Sequence, residues 1–396
     1  MIVSAAKTYR NAYSGLSRST WLLSLVMLIN RSGTMVVPFM TLYLTSPEMG
    51  YSVGQAGIVF ALFGLGAFSG AYFGGKLTDK IGFYPVQLIT LFGGGFLFFV
   101  LGQMKTYPLI CIFTYLLSFV NEAFRPANST AIAFYSKEEN RTRSYALNRL
   151  AINIGWAVGS SMGGILASIN YEFLFWVDGA TNISAGLLML FFLKPVNYKA
   201  VRDKNTLHTD PKLSAYRDKT YITFIILTTL FASCFFQLFT NMPVFFRDDL
   251  HFSKPFIGFL MAINGIIIAI VEMFLIYKLE GKQKNITYIY TGVALVGISF
   301  LLLAVPGIGK IMAIGMIITV TLGEMLAMPF MNSYWISRTQ DYNRGQYAAL
   351  YTMAWSVAQT IGPASGAQLA DASGFRALWF AAGGTCILLT LLYRKL

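Results

Sequence analysis

Seven charged side chains stand inside long apolar stretches of this chain: Arg31, Glu122, Arg125, Arg149, Asp178, Glu272 and Glu324. A charge in such surroundings is costly in hydrocarbon and is expected to face a cavity or a partner of opposite sign. The chemistry these residue types offer is proton exchange and ion recognition. Glu122 and Arg125 are three apart, share a helix face and can neutralise each other. Glu272 and Glu324 have no embedded base in their own half of the chain. A carboxylate in an apolar cavity holds its proton more tightly and can exchange it near neutral pH. That suits a proton-coupling site or a counter-ion to a cationic substrate; burial against the arginines of the other half is the alternative. Arg149 and Asp178 lie nearer the ends of their stretches, where gate salt bridges and solvated edges fit equally well.

Other chemistries find no residues. Cys111, Cys234 and Cys386 each lie in an apolar run without a CxxC pair, and His208 and His251 fall in polar connections. They read as small buried hydrophobes and loop residues, so no metal and no cofactor is expected. Gly64-Leu65-Gly66 follows no strand and cannot cradle a nucleotide. No nucleophile elbow or soluble catalytic domain is visible, which argues against an enzyme.

The elements that must position the seven charges follow from composition. Of 396 residues, 56% are hydrophobic and 12% charged, against about 25% charged in an average soluble domain. So few charges cannot clothe a soluble protein of this length. A helix needs about 20 apolar residues to cross hydrocarbon. Twelve stretches qualify, at about 20–44, 54–75, 84–104, 107–135, 144–169, 171–194, 219–243, 255–279, 286–305, 309–336, 345–370 and 375–393. The fold class is an all-α integral membrane protein with twelve transmembrane helices.

Twelve crossings put both termini on one side. The termini and even-numbered connections hold 22 of the 30 Lys and Arg, and the odd connections five. The positive-inside rule places the basic side in the cytoplasm, in the inner membrane. The net charge of +13 is thereby explained as topology, with no nucleic acid partner. The opening Met1–Ser19 lacks the apolar core of a cleavable signal peptide.

The longest polar stretch, Asn197–Lys219, divides the chain into a six-helix bundle at 1–196, a cytoplasmic linker at 197–219 and a second bundle at 220–396. The halves repeat. At an offset of 203, Pro126 meets Pro329, Asn140-Arg141 meets Asn343-Arg344, Gly159 meets Gly362 and Trp176 meets Trp379. At 201, Ser52 meets Ser253, Gly64 meets Gly265 and Asp79 meets Glu280. Internal repeats around a central site are a recurring construction of secondary transporters.

The connection after the second stretch reads Gly75-Lys76-Leu77-Thr78-Asp79-Lys80-Ile81-Gly82-Phe83-Tyr84. It resembles the signature loop of the major facilitator superfamily, G-x-x-x-D-[RK]-x-G-[RK]-[RK]. Gly75, Asp79, Lys80 and Gly82 match in place, and Phe83 and Tyr84 replace two basic residues. The resemblance implies that Asp79 sits at the N-terminus of the eleventh span, where the helix dipole favours an anion, and latches the two bundles in the outward-facing state. In the fifth span, Gly155, Gly159, Gly163 and Gly164 are similar to the glycine motif of drug-exporting members, with Ser160 in place of its proline; Gly362, Pro363 and Gly366 repeat it in the eleventh. Glycines four apart share a face and permit close helix packing, as do Gly66, Gly70 and Gly74 in the second span. Arg125 resembles the embedded fourth-span arginine of proton-coupled members.

The sequence thus implies a monomeric, proton-coupled transporter of small amphipathic molecules by alternating access, read as a drug/proton antiporter with protons, the substrate and the bilayer as partners. Asn30-Arg31-Ser32-Gly33 and Gly323-Glu324 also resemble segments of proton-coupled peptide transporters, although Asn30 replaces their acid. A symporter for short peptides or another zwitterion is therefore the alternative. Tyr334, Trp335 and Trp355, in the tenth and eleventh spans, could line a cavity for an amphipathic substrate.

Overall fold

A computed structural model describes residues 11–44, 46–195, 214–340 and 342–396. Of the linker read at 197–219, residues 197–213 lie outside this description, as does His208. Eleven helices among the described residues are long and apolar enough to cross a membrane. The last, Arg344–Tyr393, has 50 residues. At 1.5 Å per residue it would run about 75 Å, more than twice the hydrocarbon thickness. It is broken at Gly374, whose φ of 82° and ψ of 161° no helix contains, so it supplies the eleventh and twelfth spans.

The helix starts are written locally. Ser17 accepts the N–H of Thr20 and opens the first span. Ser52 and Gln55 form a reciprocal capping box at the second. Gly82, at φ 91°, is the single residue between Ile81 and Phe83 that turns the chain into the third span. Only glycine takes that conformation cheaply, which explains its place in the signature loop. Large apolar side chains point outward, as with Ile311 at 88% and Phe191 at 74% exposed. Lipid, not water, is their solvent.

Two of the spans are discontinuous. The first consists of Arg18–Ser32 and Val36–Leu44. The seventh consists of Lys219–Phe235, a short tight turn and Asn241–Asp248. Each break lies against a glycine row. A Cβ on Gly155 would stand 2.6 Å from Arg31 Cβ, and one on Gly159 3.1 Å from the Ser32 carbonyl. Gly163 meets Met35 and Phe39, whereas Gly164 reaches only Phe39. In the other half, Gly362 packs on Ser233 and Gly366 on Gln237. There Gln237 donates to the Gly362 carbonyl at 2.7 Å and Asn241 to that of Pro363 at 3.1 Å. The motif glycines thus act as packing surfaces within each bundle. Gly66, Gly70 and Gly74 do the same between the second and fourth spans, against Tyr115, Phe119 and Ala123.

Candidate functional site

The two bundles meet on the face that carries the even-numbered connections, called here the basic face. Asp79 lies at the start of the eleventh span, accepting the N–H of Gly345 at 2.7 Å and of Gln346 at 2.8 Å. A carboxylate there completes two of the orphan donors of a helix N-terminus and complements its dipole. Gly75, one turn earlier, is pressed against Gly345 and Ala349 and leaves no room for a side chain. Lys80 is exposed and forms no ion pair among the described residues.

A second contact of this kind went unread in the sequence. Glu280 accepts the N–H of Thr142 at 2.8 Å and the Nε of Arg143 at 2.8 Å, at the start of the fifth span. Thr142 and Arg143 stand 203 residues before Gly345 and Gln346, so the two contacts are repeat mates. The signal was present in the pairing of Asp79 with Glu280. The loops agree in detail: Asn140 accepts the N–H of Lys137, and Asn343 that of Gln340. Burial raises the Glu280 carboxyl above its ordinary range, against the pull of Arg143. Elsewhere on this face Asp218 receives both arms of Arg338, at 2.9 and 2.8 Å, and the Tyr347 hydroxyl. Burial alone would raise the Asp218 carboxyl; Arg338, the Tyr221 N–H and Tyr347 outweigh it and hold it below the usual carboxylate range.

Deeper in the membrane lies the centre. Arg149 stands eight residues into the fifth span, about 12 Å along it. Its two terminal nitrogens donate to Glu272 Oε1 and Glu324 Oε1, each at 2.5 Å. The three side chains are 13%, 1% and 6% exposed. Asn264 donates to Glu324 Oε2 at 3.0 Å and to Thr321 at 2.9 Å. Glu272 Oε2 is buried and has no hydrogen-bond partner among the described residues. One base from the first bundle thus serves two acids from the second. Of the two expectations for Arg149, the solvated edge is corrected: its partners, more than 120 residues away, pair with it between the bundles. The two acids, embedded without a base in their own half, are not unpaired.

Asp178 is likewise no solvated edge. Wholly buried, it accepts the N–H groups of Met35 and Val36 at 2.9–3.1 Å. These are donors orphaned by the break in the first span, so the carboxylate caps the restarted helix. Asn30 and Asn182 continue the network at 2.9 Å. Glu122 and Arg125 pair as their spacing predicts, at 3.0 Å, with Arg31 beside them. Tyr351 lies within electrostatic reach of both Arg125 and Arg149. Of the aromatics, Trp335 is fully buried and belongs to the core; Tyr334, with its ring tilted 4.7 Å from that of Phe224, and Trp355 are both partly exposed. Among the described residues, no cluster of three metal-ligating side chains exists.

The hydrogen bonds described between the bundles lie at this centre or on the basic face: Asp79, Glu280, Arg149 and a 2.7 Å contact of Thr142 with Ser333. Among the described residues, these bonds join the bundles toward the basic face. Such an arrangement suits a rocking pair of bundles around a buried polar centre.

Comparison with known proteins agrees with this architecture. The sequence profile described as Major Facilitator Superfamily matches residues 20–363. A Na(+), Li(+), K(+)/H(+) antiporter of Planococcus maritimus is 22% identical over 91% of this chain and 89% of its own. The class C tetracycline resistance protein of Escherichia coli is 25% identical over 78% of each. Among solved structures, the human organic anion transporter MFSD10 superposes with a TM-score of 0.78 at 16% identity, covering 95% of this chain and 99% of that one. That likeness is one of fold. With its twelve helices in two bundles and a profile match over most of its length, the chain belongs to the Major Facilitator Superfamily and is a multi-pass membrane transporter, not an enzyme.

Proposed function

We propose that protons drive this transporter and that it exchanges them for a small amphipathic molecule, as a drug/proton antiporter. The observation that carries the reading is Arg149 shared between Glu272 and Glu324. With both acids ionised the trio holds one excess negative charge in a buried site. A proton on either acid removes that excess and weakens the hold on Arg149. A cationic group entering the cavity competes for the same carboxylates. Mutual exclusion of proton and cation at one site is the physical requirement for antiport. The names of the Planococcus antiporter and the tetracycline resistance protein are in keeping with it.

The excess of Lys and Arg on the basic face supports an inner-membrane protein with cytoplasmic termini. In that orientation the joined face is cytoplasmic and the conformer is outward-facing. A second reading, symport of a zwitterion such as a short peptide, is favoured by the division of embedded charge, with Arg31 and Arg125 in the first half and only acids, Glu272 and Glu324, in the second.

Liposomes with an acidic interior test the first reading. Purified protein should accumulate tetracycline or ethidium, and collapse of the gradient should release it. Accumulation of dipeptides with an acidic exterior, and of neither dye nor drug with an acidic interior, would select the symporter. Orientation has its own check. Cysteine at Lys310 should react with an impermeant maleimide on intact cells, and cysteine at Lys282 only after permeabilisation; the reverse pattern inverts the topology.

A further inference from the structure

The described end of the linker does not hang free. Residues 214–218, leading into the seventh span, form a turn in which the Ser214 carbonyl accepts the N–H groups of Arg217 and Asp218 at 2.9 and 3.2 Å. The Ser214 hydroxyl donates to the Gln346 side chain at 3.3 Å, and the N–H of that same Gln346 is one of the two that Asp79 accepts. On its other side the turn meets the first bundle: the Tyr216 ring stands edge-on to that of Tyr72, in the second span, at 6.1 Å. One short turn thus touches both bundles beside the Asp79 contact. Ala215, between the two contacts, is wholly buried, whereas connecting segments normally run over the surface.

The segment before the first span repeats this arrangement. Residues 11–15 read Asn-Ala-Tyr-Ser-Gly and residues 214–218 Ser-Ala-Tyr-Arg-Asp, so Ala12-Tyr13 meets Ala215-Tyr216 at the offset of 203 found for the spans. The turn recurs, with the Ser14 N–H donating to the Asn11 carbonyl at 3.1 Å, and Ala12 is again wholly buried. The anchor recurs as well. Arg143, the repeat mate of Gln346, donates its Nη1 to the carbonyls of Asn11, Ala12 and Ser14 at 3.1–3.4 Å, while its Nε holds Glu280. A planar guanidinium presents donors on more than one edge, so one side chain serves the carboxylate of the second bundle and the segment of the first together. Asn140 fixes the end of the segment through the Gly15 carbonyl at 2.7 Å.

We propose that the two segments are paired clasps of the basic face, one at each helix-terminus contact. Residues 214–218 bridge the seam themselves; residues 11–15 brace the arginine that bridges it. When the bundles part on this face, Tyr216 must leave Tyr72, and Arg143 must leave Glu280 while its own segment keeps it aimed for the return. The end of the linker is then a moving part of the gate and not only a tether. The proposal rests on the transporter reading, in which this face opens during the cycle.

The test is a reversible cross-link, made with a short bismethanethiosulfonate, in the full-length protein carrying Tyr72→Cys and Tyr216→Cys. Each single-cysteine variant controls for the native Cys111, Cys234 and Cys386. The cross-link should form in the resting protein, stop gradient-driven ethidium transport in liposomes, leave ethidium binding intact, and restore transport when a thiol reductant cleaves it. With Asp79→Asn and Glu280→Gln added, its yield should fall several-fold, because the face is then open. Undiminished transport by the cross-linked protein overturns the clasp, and so does an equal yield in the two backgrounds. If the cysteine pair does not fold, Ala215→Leu and Ala12→Leu decide. At a wholly buried methyl a larger side chain must displace its surroundings, so each should lengthen the distance between spin labels at Lys137 and Lys282; an unchanged distance in both overturns the proposal. Wild-type protein without gradient-driven transport refutes the transporter reading instead, and the yields in the two backgrounds still judge the clasp.

Discussion

Replacing Glu324 by glutamine abolishes proton-driven accumulation while leaving exchange of substrate down its own gradient intact. Glutamine keeps the shape and mimics a permanently protonated acid. The excess negative charge of the trio is then gone and cannot be restored by deprotonation. Arg149 retains Glu272, so the protein should fold. Glu272→Gln should uncouple in the same way, with one difference: Glu324 is also held by Asn264, whereas the second oxygen of Glu272 has no partner among the described residues. The Glu324 variant therefore also loses an acceptor for Asn264 and should be the less stable of the two. Arg149→Gln is the harsher change, because two buried carboxylates then face each other without a cation. Removal of one partner from a buried ion pair costs about 3–5 kcal/mol, so this variant should express poorly at neutral pH. Uphill transport at the normal rate in both glutamine variants would move the proton site elsewhere, with Glu122 the next candidate.

Loss of both helix-terminus carboxylates, in the double variant Asp79→Asn with Glu280→Gln, opens the basic face. A charge at a helix N-terminus contributes about 0.3–1 kcal/mol when exposed and up to ~2 when partly buried. Asp79 and Glu280 sit on different helix pairs and share no partner, so their effects should add. A total of about 3 kcal/mol is roughly a hundredfold shift in a two-state equilibrium. Each single variant should therefore shift it by about tenfold. Spin labels at Lys137 and Lys282, which are exposed on opposite bundles, should show a longer distance population that grows from single to double variant. Substrate binding should survive, and transport should fall because the protein rests in the wrong state. A distance distribution identical to wild type in the double variant, with normal transport, would mean that neither carboxylate holds the bundles together.

The contributions of sequence and tertiary structure divide along a physical line. Hydropathy acts over consecutive residues, so the twelve spans, their alternation and the charge bias of the connections are all written in order along the chain. Features that recur in both halves are legible too, because a duplication repeats its contacts: Asp79 at the eleventh span was readable from the loop, and the repeat pairing contained its mate at Glu280. Glu122 with Arg125 needed only helical spacing. Arg149, Glu272 and Glu324 were recognisable one by one as expensive charges. Burial of the two acids against the arginines of the other half was legible as an alternative; which arginine was not, since nothing local in a span records which face of another bundle it will meet. Asp178 misled for the same reason. Its role as a cap exists only because the first span breaks at a point where the sixth passes, a fact of packing across 143 residues. The sequence set which residues must find partners in the membrane; docking of the two bundles decided who those partners are, because a buried charge takes its meaning from whatever the fold brings within about 3 Å of it.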